Sequence, residues 1–192
     1  MHKHPLVTVR SLEREHAPLD DNYVVFLGEG PKNGFLYCPE PACREPSGGG
    51  KRLSTILGEI LNVQGSMNDI LNRLKKDCWV LDLFGSEADK EFMRGASLAT
   101  LSESIADLKH LMLDEKKRLP SLVIPAMKHN AHSEYYLKRL PMGFGARVYC
   151  LLERDDDLGS LFKPVFFSPW NRKYIDVARS LLSEHGFIAE SL

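Results

Sequence analysis

The apolar and polar positions of the 192-residue chain change period several times, and each change predicts an element. Residues 5–12, Pro-Leu-Val-Thr-Val-Arg-Ser-Leu, alternate in the period-2 manner of a half-buried strand. Asn22 to Leu27 reads as a second strand, and Phe35-Leu36-Tyr37 extends it into an N-terminal β-hairpin. Residues 28–51 then hold ten Gly or Pro, a density of breakers that predicts a long mobile loop. From Arg52 the spacing turns helical, with Leu53, Ile56, Leu57, Ile60 and Leu61 at i, i+3, i+4, i+7 and i+8. Ser66 with Asp69 predicts a capped helix carrying Ile70, Leu71 and Leu74. The apolar run from Cys78 to Phe84 suits a buried strand or a continued helix equally. Residues 87–118 predict helix, striped by Leu98, Leu101, Ile105, Leu108, Leu111 and Met112 and stopped at Leu119-Pro120.

Beyond that stop, Leu122-Val123-Ile124 predicts a short strand, and Ser133 caps a short helix through Leu140. Ala146 to Leu152 predicts a strand with Ala146, Val148, Cys150 and Leu152 on one face and Arg147 and Tyr149 on the other. An apolar segment, Leu158 to Phe167, follows the Asp155-Asp156-Asp157 triplet. Ser168 as N-cap and Pro169 at the first helical position open a last helix, which Gly186 closes. Its buried stripe is Trp170, Tyr174, Ala178, Leu181 and Leu182, which leaves Arg172, Lys173 and Arg179 outside. The predicted fold is α+β: an N-terminal region, 1–140, and a C-terminal strand-helix-helix unit, 141–192.

Composition narrows the function. With 43% hydrophobic and 27% charged residues the chain is globular, and no apolar run approaches the ~20 residues of a membrane span. No apolar stretch follows the first basic residues, and the four cysteines are too few for a disulfide scaffold, so a cytoplasmic protein is expected. A net charge of −1, from 25 basic and 26 acidic residues, argues at first against nucleic acid. The total hides a basic stretch. Between Lys116 and Arg147 stand seven basic residues and one acid, Glu134, a local charge of +6.

The catalytic motifs fit less well. Gly48-Gly49-Gly50-Lys51 resembles a phosphate loop, but Glu45 stands where the first glycine belongs and Arg52 where the magnesium-binding hydroxyl belongs. Cys38, Cys43, His129 and His132 offer two thiolates and two imidazoles to a tetrahedral zinc, with Glu134 as base in a hydrolase. That set is an alternative to the main reading, which includes no metal, cofactor or catalytic residue. Cys78 and Cys150 read as core, and the Asp155–Asp157 triplet lacks the spacing and glycine of a calcium loop. A third alternative is a protein-interaction module that docks a partner through the 97–118 helix.

One strand followed by two helices cannot bury its faces alone, but two such units paired about a dyad can. That is the logic of a ribbon-helix-helix DNA reader, in which a two-stranded ribbon enters the major groove. On this reading Arg147 and Tyr149 meet base edges. Ser168, Asn171, Arg172, Lys173, Lys128, Lys138 and Arg139 meet phosphates.

The segment Pro141-x-Gly143-Phe144-x-Ala146-x-x-Tyr149-x-Leu151-Leu152, followed by Asp156-x-Leu158, resembles the central motif of AcaB-like proteins of conjugative plasmids and integrating conjugative elements. Upstream, Val7-Thr8-Val9, the Gly50 to Leu53 helix start, the run at Trp79 and the long helix before Pro120 are similar in order. The resemblance implies a transcriptional regulator of transfer genes. It would bind double-stranded DNA through a ribbon-helix-helix unit, as a homodimer or larger homo-oligomer.

Overall fold

The strand β1, Val24–Gly28, is buried at every position, so both of its faces must be covered. The computed structural model describes residues 9–29, 55–84, 95, 97–127 and 144–189. Among these residues the fold mixes α and β. Six helices surround a three-stranded sheet of order β2-β1-β3, with β2 at Cys78–Asp82 and β3 at Leu122–Pro125. Both pairings are parallel, running from Val24↔Cys78 to Gly28↔Asp82 on one side and from Val24↔Leu122 to Leu27↔Pro125 on the other.

Parallel neighbours need crossovers long enough to return the chain to the same edge. The first passes through α2 (55–60) and α3 (Met67–Asp77), the second through α4 (Leu98–Lys116). Two helices follow β3: α5, Phe144–Arg154, and α6, Arg172–Glu184. Strand alternation divides the core in two. Val24, Phe26, Cys78, Val80, Leu122 and Ile124 pack with Leu57, Ile60, Leu74, Tyr174 and Ala178 from α2, α3 and α6. Val25, Leu27, Trp79, Leu81 and Val123 pack with Leu101, Ile105, Leu108, Val148 and Leu152 from α4 and α5. Residues on both sides of position 140 therefore share each cluster.

Local chemistry explains the ends of the elements. Ser66 and Asp69 form the expected capping box: Asp69 accepts from the Ser66 amide at 2.6 Å and Ser66 Oγ accepts from the Asp69 amide at 3.4 Å. Gly186, at φ 78°, ends α6 as expected. The Phe187 amide donates to Leu182 O at 2.9 Å and the Gly186 amide to Ser183 O at 3.0 Å, the two bonds of a Schellman motif.

Three strand expectations need correction. Within the 5–12 segment, Val9–Glu15 is a helix, α1, and residues 5–8 lie outside the described set. The hairpin partner at 35–37 also lies outside it. β1 has no edge left for an antiparallel partner, because β2 and β3 occupy both. The strand expected over 146–152 is helix α5. Its buried residues, Gly145, Val148, Tyr149 and Leu152, follow the i, i+3, i+4, i+7 rule, which the alternation of small and apolar residues in this segment obscured.

Both margins of the sheet are closed. Beside β3, Val123 bridges Phe162 in parallel: its amide donates to Leu161 O at 2.9 Å and its carbonyl accepts from the Lys163 amide at 3.0 Å. Beside β2 stands α1. Glu13 Oε1 accepts from the Asp82 amide at 2.6 Å, and Arg10 donates to the carbonyls of Asp82 and Leu83 at 2.8 and 3.2 Å. Trp79 Nε1 donates to Glu13 O at 2.8 Å. A helix thus satisfies strand groups that would otherwise invite another chain.

Glu13 is only 6% exposed and pairs with Arg10 at 2.6 Å. Burial raises its carboxyl above the ordinary 4.5, and this outweighs the lowering by Arg10 and the Asp82 amide. A carboxyl raised in the folded state favours folding at low pH and loses that contribution as pH climbs through its folded value. Urea unfolding at a series of pH values is expected to show wild type losing stability relative to Glu13→Gln as pH rises past 4.5. Glu13→Ala leaves the Asp82 amide without its acceptor and is expected to cost about 1–3 kcal/mol.

Candidate functional site

Each helix can be oriented by the strand end it touches. Tyr23 Oη, just before β1, donates to Arg118 O at 2.9 Å, so the C-terminus of α4 lies at the amino edge of the sheet. Tyr174 Oη donates to Pro125 O at 2.9 Å, which places the first turn of α6 at the carboxyl edge. Phe144 packs on Phe84 at 5.5 Å between ring centroids, so α5 also starts where β2 ends. The carboxyl edge therefore collects Gly28 and Glu29 after β1, Leu83 and Phe84 after β2, Ala126 and Met127 after β3, and the 165–171 segment.

Four of the nine expected DNA contacts meet at one corner of this edge. The Asn171 amide donates to Ser168 O at 2.8 Å, and Ser168 Oγ accepts from the Trp170 amide at 3.4 Å. Ser168 is thus not the N-cap. Asn171 is, its Oδ1 accepting from the Lys173 amide at 3.0 Å, and α6 begins later than expected because the Ser168-Pro169 turn precedes it. Arg172 and Lys173 follow on the exposed first turn. Arg172 pairs with Glu59 of α2 at 2.6 Å and approaches Asp176 at 3.9 Å, while Lys173 Nζ lies 5.5 Å from the Phe167 ring centroid. The two cations of this turn thus stand among two acids.

Arg147 and Tyr149 do not form the expected pair. On a strand they would share a face, but on α5 two residues turn the helix by roughly 200°. Tyr149 is buried at 3% exposure and its Oη donates to Val165 O at 2.7 Å. Its ring meets Phe162 edge-on at 5.2 Å, and burial pushes its hydroxyl well above the usual range. Arg147 is half-buried. Lys128, Lys138 and Arg139 lie outside the described residues, as do Cys38, Cys43, His129, His132, Glu134 and Gly48–Lys51. Among the described residues no group of three or more His, Cys, Asp or Glu could hold a metal. Cys78 is buried, as expected, and burial raises its thiol, while Cys150 is half-buried.

The structure adds two residues that the sequence pattern assigned elsewhere. Trp170, expected on the buried stripe of the last helix, precedes that helix and is 43% exposed. Phe166 is 42% exposed, with one side against Tyr149 at 5.9 Å. The signal was Pro164 together with Ser168-Pro169. Prolines this closely spaced keep the chain out of a regular helix, so its apolar side chains share no single buried face. Beside Trp170 a groove of about 400 Å³ runs between α2 and the start of α6, lined by Thr55, Ile56, Glu59, Asn171, Arg172 and Ile175.

Compared with family models, curated proteins and solved structures, the chain gives no match. Among the described residues no helix is long and apolar enough to cross a membrane.

The burial of Tyr149 has a measurable consequence. Tyr149→Phe strands the Val165 carbonyl and is expected to lower unfolding free energy by about 1–2 kcal/mol in urea titration. The same variant is expected to leave nucleic-acid affinity unchanged, whereas a base-reading tyrosine would lose affinity without losing stability.

Proposed function

We propose that the protein binds nucleic acid at the carboxyl edge of its sheet. Phe166 and Trp170 stack on unpaired bases, and the start of α6 contacts a phosphate. The observation that carries this reading is the exposure of two large aromatics, 42% and 43%, in the same short segment as Ser168, Asn171 and Lys173. Stacking on an aromatic side chain contributes roughly 1–3 kcal/mol per base and tolerates any sequence. Hydroxyl, amide and ammonium groups beside a helix N-terminus are the usual partners of a phosphate oxygen. Lys128, Lys138 and Arg139 keep their assignment to phosphate through their charge alone.

The role of a regulator of transfer genes, acting on double-stranded DNA, is supported by the resemblance of residues 141–158 to the AcaB-like motif. A paired ribbon in the major groove is not part of this proposal, since residues 146–152 form α5. The homodimer argued from that pairing goes with it, while the homodimer or larger homo-oligomer that the resemblance implies stays within the regulator reading.

The strand order favours a second reading. Open parallel sheets bind ligands outside the carboxyl ends of their strands where the order reverses, which here falls between β1 and β3. A base drawn out of its stack and held at that point would make the protein an enzyme acting on the base. Glu29, directly after β1, is the titratable residue nearest to that position in the chain.

Fluorescence anisotropy with labelled single-stranded and duplex oligonucleotides, at 50–200 mM salt, tests both (roughly the range in which phosphate contacts are resolved). Trp170→Ala is expected to weaken single-strand binding by about 1–3 kcal/mol with little change in unfolding temperature. Equal affinity of the variant, or no binding by wild type, would overturn the reading, while tighter and sequence-selective duplex binding would favour the regulator. A mass change at one base after incubation identifies the enzyme, and unchanged mass across matched, mismatched and modified duplexes rejects it.

A further inference from the structure

At the opposite end of the sheet a second cavity, of about 360 Å³, opens between α2, α3 and the chain that follows α6. Arg73, Arg179 and Asn62 line it together with the apolar Leu61, Phe187 and Ile188. Its place at the amino edge follows from Arg73, which sits one turn before the end of α3, where β2 begins.

The two guanidinium groups differ in how far they are committed. Arg73 pairs with the Asp77 carboxylate and donates to Phe187 O at 3.0 Å, so it ties the chain after α6 to α3 and closes one wall. Arg179 donates one terminal nitrogen to Glu59 O at 2.5 Å. Its Nε is buried and has no hydrogen-bond partner among the described residues. Arg179 lines the cavity, so the terminal donors that Glu59 O does not take remain for a ligand. Asp77 neutralises one of the two cations. The Glu59 carboxylate is engaged by Arg172, which leaves Arg179 as a cation of the cavity wall that no acid among the described residues pairs.

We propose that this cavity binds a small organic anion, a phosphate monoester or carboxylate on a compact apolar group. The oxygens take the fork of Arg179 and the remaining donors of Arg73. The apolar part lies against Leu61, Phe187 and Ile188. Guanidinium groups suit this chemistry because their planar donors match the spacing of carboxylate and phosphate oxygens. The volume accommodates a ligand of drug-fragment size, at the lower end of ordinary ligand pockets. The site is separate from the corner at Trp170, and its existence does not depend on nucleic-acid binding.

Titration calorimetry of the full chain with phenyl phosphate, benzoate, inorganic phosphate and benzyl alcohol tests the proposal. Phenyl phosphate or benzoate is expected to bind one to one, and to raise the unfolding temperature by roughly 3–5 °C at ten times its dissociation constant. Inorganic phosphate is expected to bind more weakly, and neutral benzyl alcohol not at all. The better of phenyl phosphate and benzoate identifies the headgroup. Arg179→Gln is expected to weaken binding at least tenfold, and Arg179→Lys, which keeps the charge but lacks the planar pair of terminal donors, to weaken it as well. No saturable binding by either aromatic anion, or equal binding by Arg179→Gln, would overturn it. If the variants do not fold, amide shifts of Phe187 and Ile188 in the titrated wild-type protein decide: movement supports the site and its absence rejects it.

Discussion

The rest of the structure follows from one constraint: β1 is a buried strand with a parallel neighbour on each side. Parallel pairing forbids tight turns, so the chain must leave the carboxyl edge after each strand and return over a face of the sheet. A right-handed crossover toward β2 places α2 and α3 on one face. The crossover back past β1 to β3 then places α4 on the other. Every strand residue is thereby covered, and the outer margins remain the only backbone groups to satisfy. Arg10 and Glu13 of α1 do this beside β2, and the Val123–Phe162 bridge does it beside β3. α1 is short, yet the acid it buries answers a strand amide.

The same constraint separates two kinds of chemistry. All three strands end at one edge, where α5 and α6 begin, so exposed polar groups and loops gather there. The amino edge receives the C-termini of α3 and α4, and there Arg73 and Arg179 line a pocket. With a rise of about 3.3 Å per residue, strands of four or five residues hold the two edges only ~15 Å apart. α6 spans that distance, with Asn171 at one end and Arg179 in its later turns. The basic stretch 116–147 begins at the amino edge, where Lys116 donates to Pro18 O at 2.6 Å.

The sequence was legible where a single pattern had a single physical cause. β1 and β3 stand within a residue or two of the apolar runs that predicted them, and β2 occupies the Cys78–Phe84 run that suited strand and helix equally. The Ser66–Asp69 box, the α4 stripe from Leu101 to Met112 and Gly186 act as their residue types require, while Leu98 of the expected stripe is exposed. Residues 146–152 and 9–12, expected as strand, are helical for a shared reason. Ala146, Val148, Cys150 and Leu152 alternate, yet Gly145, Val148, Tyr149 and Leu152 satisfy the helical period equally well, and seven residues are too few to separate the two. The topology separates them, because a segment leaving the end of β3 at the carboxyl edge returns along a face of the sheet. Long-range pairing of that kind is not written in any local window. Trp170 illustrates a second limit: aromatic spacing fits a buried stripe until a proline turn delays the helix.

Charge at the corner bears on what sort of nucleic-acid binding is physically reasonable. Affinity won by releasing counterions needs several unpaired cations along a phosphate track, and it collapses with salt. Arg172 is already engaged by Glu59 and Asp176, which leaves Lys173, over the Phe167 ring, as the main cation of the first turn of α6. A duplex, whose bases are stacked away and whose outer surface is phosphate, would find a poor partner in these residues alone. An unstacked base would find Phe166 and Trp170, whose faces need no counter-charge and whose contribution survives salt. The near-neutral whole-chain charge of −1, which argues against an electrostatic grip on duplex DNA, is therefore compatible with recognition through stacking. At this corner the two aromatics are exposed, and one of the two cations, Arg172, is answered by Glu59 and Asp176.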